Sequence, residues 1–477
     1  RAKRGDKMRA RYLNLYGIMN SRFVKNRIKR IEKRMSICYD VHIHFIGCVW
    51  ENNEPKERQK AMNKKIWKAL GIAVCMLVLA APHAMAETNS HYVSNNEQFA
   101  DAVRTINNES KIGDKNEIVL MQDITLERNY ILTNGKTTTI KGKEGEDRKI
   151  SINGSNDPNA GITVTGERTV LNLGVNGYDK KLTIDGDTRD GSASGNAKNA
   201  FVSVLEGATA NMYGNVTLQN GMFGGNACVV IMGSKSVFNM DGGVIENCSR
   251  AVTAESEATF NMSGGEIRNC GGGRGSGNGG GVRVYEATFV MSDGTISGCS
   301  ADNGGGLCAE NSSTVTITGG TISKCTAEVG GGLYADNSTI TIKGGTISGC
   351  EAGAGGGLYV DGSTVTIAIS GGTISECSAT INNGGGLYAT NSSEITIKGG
   401  TISRCKGELG CGLYATDSSK ITISGGTISG CEGGRGGGLY AEKNSTITIT
   451  GGTISRCEVG AGGGLFVTGS TLNIEGG

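Results

Sequence analysis

Nine times between Gly242 and Gly452 the chain returns to a Gly-Gly or Asp-Gly pair followed by an apolar step. From Gly319 the phrase runs GGTISKCTAEVGGGLYADNSTITI and then begins again, with a period near 26 residues. Strand-like alternation fills each period. One such unit cannot bury its apolar face alone, so successive units must stack, and the chain reads as a coiled β-solenoid rather than a globular domain. Glycine accounts for 79 of the 477 residues and proline for only 3, without a Gly-X-Y period, which excludes collagen.

Each regular coil holds three expected strands. In the first, Val315/Ile317, Ile340/Ile342, Val365/Ile367, Ile395/Ile397, Ile421/Ile423 and Ile447/Ile449 point inward and the threonines between them outward. A Gly-Gly pair turns the chain without a Cβ clash. The second strand is Thr-Ile-Ser-x-Cys; its cysteine can share the interior with the isoleucine only if the strand bends. The third follows Gly-Gly-Gly, with Leu333 and Ala335 facing in and Tyr334 facing out. Upstream, residues 117–239 read as irregular coils, and residues 240–477 as the regular ones. Ser94 to Ile106 reads as a short helix with Ser94 as N-cap and Glu97 as capping-box partner, placing Phe99, Ala102, Val103 and Ile106 on one face. It belongs to an N-terminal cap over residues 87–116.

These repeats resemble the right-handed parallel β-helix of the pectate-lyase-like superfamily. The Gly-Gly-Thr-Ile phrase is most similar to repeats of bacterial surface proteins, such as polymorphic outer-membrane proteins and autotransporter-passenger adhesins. The resemblance covers roughly Glu117 to Gly477. It implies an all-β, three-strand solenoid of roughly 14 coils with a capping helix. It does not imply one activity, since the same fold carries enzymes and adhesins.

Charge divides the chain. Residues 1–86 hold 19 Lys/Arg against 6 Asp/Glu, leaving 28 against 39 in the remainder. The solenoid is therefore acidic and lacks the basic stripe of a nucleic-acid binder. From Met62, MNKKIWKALGIAVCMLVLAAPHAMA reads as a signal peptide over residues 62–86: a basic start, a short apolar run and an Ala84-Met85-Ala86 cleavage site. Residues 1–61 are then expected to be upstream sequence translated in error, and any membrane or wall anchor would lie beyond residue 477. The expected location is secreted or on a bacterial cell surface.

Cys248, Cys270, Cys299, Cys325, Cys350, Cys377, Cys405, Cys431 and Cys457 recur once per coil. The first reading is a ladder of buried thiols acting as small apolar filler. Disulfides are the second reading, because exported chains use cysteine that way. Metal is the third, against which the spacing offers no Cys-x₂₋₄-Cys pair. Cys308 and Cys411 stand off the ladder and are expected to oxidise more readily.

The outward column of the third strand ends in Tyr334, Tyr359, Tyr388, Tyr414, Tyr440 and Phe466. It is either a ladder that shields strand edges or a face for binding sugars or a partner protein. The outward threonines of the first strand form another column, but Glu394 and Lys420 interrupt its neighbouring column and so break an ice-binding-type lattice. Glu376 and Arg404 read as a surface ion pair. The one acidic cluster, Asp185, Asp187 and Asp190, is a calcium candidate and otherwise a solvated turn. His91 is alone near the mature start, which leaves no Ser/His or Cys/His pair. No cofactor is expected. The expected function is structural or adhesive, with host or bacterial surface glycans or proteins as partners. The alternative is a carbohydrate-active enzyme, a polysaccharide lyase or hydrolase.

Overall fold

The computed structural model describes residues 88–477 apart from 154–156, 158–159, 187–199, 222–226, 272–276, 363–365, 370, 382 and 477, and gives no side-chain placement for residues 366–369. The signal segment and the residues before it lie outside the described residues. So do the loop expected at Gly191 to Asn199 and two members of the acidic cluster, Asp187 and Asp190.

The chain winds as a parallel β-helix. Its first and second faces merge into one 26-stranded sheet, because Lys420–Ser429 and Thr446–Ser455 run unbroken through the corner between them. The third face is a 13-stranded sheet. Register is kept by residue type: Val315 pairs with Ile340, Ile322 with Ile347, and Leu333 with Leu358, all in parallel. Each rung therefore donates and accepts a ladder of main-chain hydrogen bonds and places like side chains at about 4.8 Å spacing.

The solenoid has about thirteen turns, as the 13 strands of the third face among the described residues count them, in keeping with the roughly 14 coils expected from the repeats. Its first strand, Thr88–Val93, pairs with Lys115–Leu120 but leads into a helix instead of completing a coil. A third, 7-stranded sheet follows the cysteines, from Ser300–Asn303 to Glu458–Ala461. The segments after the cysteine carry no apolar alternation, so nothing in the pattern announced them as strands.

The helix, α1, spans Asn96–Glu109. Its expected buried face, Phe99, Ala102, Val103 and Ile106, is buried. The cap lies one residue further on than Ser94/Glu97: Asn95 Oδ1 accepts from the Gln98 amide at 2.9 Å, and Gln98 Oε1 accepts from the Ser94 amide at 2.7 Å. The same reciprocal logic holds with an amide pair. At the other end Lys136, 3% exposed, reaches over α1 and donates to the carbonyls of Ile106 and Asn107 at 2.5 and 2.6 Å. A cation on the last carbonyls satisfies orphan acceptors and the helix dipole together, which fixes the lid on the solenoid.

Inside, the column of aliphatic residues is continuous from Ile118 to Ile449. Phe238, Phe260 and Phe289 stack within it at centroid distances of 5.5 and 5.0 Å. The bend that turns the cysteines inward comes from the residue just before each of them. Asn247, Asn269, Lys324, Glu376, Arg404 and Arg456 have φ between 51° and 56°, and glycine supplies the same conformation at 298, 349 and 430. The third glycine of each triplet has a different reason to be there. A Cβ on Gly306 would stand 2.7 Å from the Gly332 carbonyl of the next rung.

Candidate functional site

The third face carries the candidate binding column. Leu333, Leu358 and Leu387 point into the core and the tyrosines between them and the following residue point away, as the alternation requires. Parallel register then forces the rings onto one another. Tyr334–Tyr359, Tyr359–Tyr388, Tyr388–Tyr414, Tyr414–Tyr440 and Tyr440–Phe466 have centroid separations of 5.6, 4.7, 4.8, 5.5 and 5.1 Å. All but one pair lie within 19° of parallel; Tyr388–Tyr414 is tilted by 36°. Interior members of the column therefore spend both ring faces on neighbours and present edges and hydroxyls outward.

Exposure also varies along the column. Tyr334, Tyr359, Tyr388 and Phe466 are half-buried, whereas Tyr414 and Tyr440 are only 3% and 5% exposed. Glu442 ties the last two tyrosines together, accepting from the Tyr414 hydroxyl at 2.6 Å and the Tyr440 hydroxyl at 3.4 Å. Burial, with the carboxylates of Asp417 and Glu442 nearby, pushes the Tyr388 phenol up to about 12. The hydroxyls remain neutral donors throughout the physiological range.

Beside this column lies a row of carboxylates that the sequence reading did not single out. Asp336 and Asp361 are register partners, and Glu310 sits one rung before them. Burial first, and then the charges of Asp361 and Glu310, raise the Asp336 carboxyl above its ordinary value. Asn337 and Asn391 donate to Asp336 and Asp361 at 2.7 and 2.5 Å. The row could have been found by writing the repeats one under another and reading down the second residue after each tyrosine.

Where the tyrosines stop, the third face changes character. Arg283 bridges Glu255 and Glu310 at 2.9 Å each, and Arg250 donates to the carbonyls of Asn278 and Gly279 at 2.9 and 3.0 Å. Cys308 is fully buried there, and burial raises its thiol well above the ordinary range. Thr253, two rungs before Cys308 in the same column, is 5% exposed, and its hydroxyl has no hydrogen-bond partner among the described residues. These coils therefore depart from the repeat that follows them, where tyrosines take the outward position.

Upstream on the first face, Asn211, Asn239 and Asn261 each donate through Nδ2 to the Oδ1 of the preceding asparagine at 2.8, 2.8 and 2.9 Å, starting from Asn172. The Asp185 carboxylate accepts from Gln219 and Asn220 at 3.0 Å each, which occupies it with amides. Among the described residues no group of three His, Cys, Asp or Glu side chains is arranged to hold a metal ion. Glu376 and Arg404 form the expected surface pair at 2.7 Å.

The cysteine ladder divides in two. Cys270 to Cys457 are free thiols, and all but Cys457 are buried. The Cys350 thiol is raised to about 12, by its hydrogen bond with Cys325 and then by burial, so it is held protonated and unreactive. Cys411 is likewise buried and raised to about 11, by burial. Neither off-ladder cysteine is thus an exposed oxidation site. Cys248 instead forms a disulfide with Cys228, a residue outside the ladder that the spacing did not reveal.

Comparison with known proteins bears on the fold of this assembly. Residues 331–476 match the family model described as a right handed beta helix region. The winding is that of a right-handed parallel β-helix, and the columns above are the outer faces of such a rod. No curated protein and no solved structure matches the chain.

Proposed function

We propose that the chain is an extracellular, surface-displayed bacterial β-helix whose long faces bind glycans or proteins, in the manner of autotransporter passengers and related adhesins. One observation carries this reading. The outward side chains repeat rung after rung and are tied mainly to one another, as in the Tyr334–Phe466 stack and the Asn172–Asn261 ladder. Such a surface suits many similar weak contacts along a rod rather than one reactive constellation. The signal-peptide pattern at residues 62–86 supports export. The test is binding of the purified chain to a glycan array and to cultured epithelial cells, with whole-face replacement of Tyr334, Tyr359 and Tyr388 by Ser. Binding that falls with the replacement agrees with the reading; a chain that binds no glycan, cell or protein surface overturns it.

A second reading, a carbohydrate-active enzyme of the pectate-lyase-like superfamily, draws on the coil around Arg250, Glu255, Arg283 and Glu310. A carboxylate–guanidinium cluster on one face is a chemically reasonable place for acid–base work on a sugar chain. Incubation with polygalacturonate and other polysaccharides, with and without calcium, would detect it. Product that disappears on Arg283→Ala would favour this reading over the adhesive one.

A further inference from the structure

Among the Gly-Gly-Gly triplets the middle glycine is replaced once, by Cys411. Its side chain is fully buried, and its thiol donates to the Gly407 carbonyl at 3.2 Å. The repeat gives way around that sulfur. Two residues after the ladder cysteine the chain carries Ala301, Ala327, Ala352 and Ala379, but then Gly407 and Gly433. A Cβ on Gly433 would stand 2.3 Å from the Cys411 sulfur and 1.9 Å from the Gly407 carbonyl oxygen. These two glycines leave the sulfur a slot that alanine would close.

The slot adjoins a second thiol. In the next coil Gly437 takes the place of Cys411, as the Leu413–Leu439 register requires. A Cβ on Gly437 would stand 3.0 Å from the Cβ of Cys457, the ladder residue one coil further on. By the repeat, Cys411 faces the Cβ of Cys431 in the same way, and a disulfide needs Cβ atoms about 3.8 Å apart. Burial and then the proximity of Cys431 raise the Cys411 thiol. The pair also repeats the relation between Cys228 and Cys248. In each, a cysteine within the triplet segment of one coil precedes the ladder cysteine of the next by 20 residues.

We propose that Cys411 and Cys431 form a second disulfide between coils when the chain folds in an oxidising compartment. Rotation about χ1 of Cys411 carries its sulfur from the Gly407 carbonyl to the Cys431 sulfur. The oxidant is itself a disulfide, of a thiol–disulfide exchange protein or of glutathione. One cysteine thiolate attacks it, forming a mixed disulfide and releasing the first oxidant thiol. The other cysteine thiolate then attacks the protein sulfur of that mixed disulfide, forming the Cys411–Cys431 bond and releasing the second oxidant thiol. The two protons and two electrons lost by the cysteines end on the two oxidant thiols. Both side chains are buried once the coils have stacked, so the exchange belongs to folding.

The test is refolding of the full chain from denaturant in a mixture of reduced and oxidised glutathione, followed by alkylation of the remaining thiols in denaturant and tryptic digestion without reduction. Trypsin places the two cysteines on separate peptides, 407–420 and 421–435, neither of which holds another cysteine. Mass spectrometry should find these two peptides joined in most chains that also carry the Cys228–Cys248 bond, which marks sufficient oxidation. Recovery of both peptides alkylated from such chains overturns the proposal, as does linkage of Cys431 to Cys405 or Cys457. Cys411→Gly restores the triplet and should fold, with Cys431 recovered fully alkylated. A Cys431 that still pairs in this variant overturns the assignment.

Discussion

Cys228 stands where later coils carry the third glycine of the triplet, and its sulfur is bonded to Cys248, the ladder residue of the next coil. The relation shows what those glycines face. A Cβ on Gly306 would lie 3.3 Å from the Cys325 sulfur, and one on Gly332 would lie 3.4 Å from that of Cys350. In the earlier coils this position carries side chains instead: Phe201, Cys228 and Ala251 stand in register before the glycine column begins at Gly281.

The bridge closes a loop of 20 residues between an irregular stretch and the regular coils. Cys248→Ser should cost about 3 kcal/mol under oxidising conditions. Because solenoid stability is nearly a sum of neighbour terms, hydrogen exchange should quicken near residues 200–260 and stay unchanged beyond Ile340. Loss of protection along the whole rod would contradict a local staple.

Lys324 holds φ at 53°, a conformation that costs a side-chain-bearing residue roughly 1–2 kcal/mol. Glycine removes that strain but loosens the unfolded chain by about 0.4–1 kcal/mol. Lys324→Gly should therefore raise stability by up to about 1 kcal/mol. Gly349→Val, at φ 59° in the next coil, should lower it. Thermal melts of the two variants give opposite signs if the bend before the cysteine is obligatory.

Tyr388 touches a ring on each side, at 4.7 and 4.8 Å, whereas Phe466 touches only one, at 5.1 Å. With about 0.5–1.5 kcal/mol per aromatic pair beyond area burial, Tyr388→Ser should cost more than Phe466→Ser by about one such pair. Urea titration compares them. Equal costs would mean that the stack contributes little to stability.

The Asp336 carboxyl has a folded pKa above its unfolded value, through burial and the charges of Asp361 and Glu310. Its ionised form is thus a penalty present at neutral pH. The penalty lifts as pH falls through the folded pKa and is gone below the unfolded one, near about 3.9. Asp336→Asn should raise the melting temperature at pH 7, and the advantage should shrink as pH falls towards 4. An advantage that grows on acidification would assign the wrong sign to this row.

Much of the winding could be read from residues. The alternation at Ile340/Ile342 set the inward face, the Gly-Gly pairs set the corners, and Leu333/Ala335 set the third strand; those four apolar residues are buried as their period demands. What escaped depends on contacts between coils. Cys228 has no periodic signature, so its bond to Cys248 was invisible. The tyrosine column was legible as outward, but not that its rings would turn their faces to each other, which follows from parallel register and the rung spacing.

The triple glycines carry one more implication. Because each Gly-Gly-Gly is shaped to the carbonyls of the next identical triplet, an entire coil can be lost or duplicated and the new neighbours will still fit. A single inserted residue has no such freedom. Change in length among chains built this way should therefore come in steps of one whole winding, leaving the reach of the rod as the quantity most easily adjusted by descent.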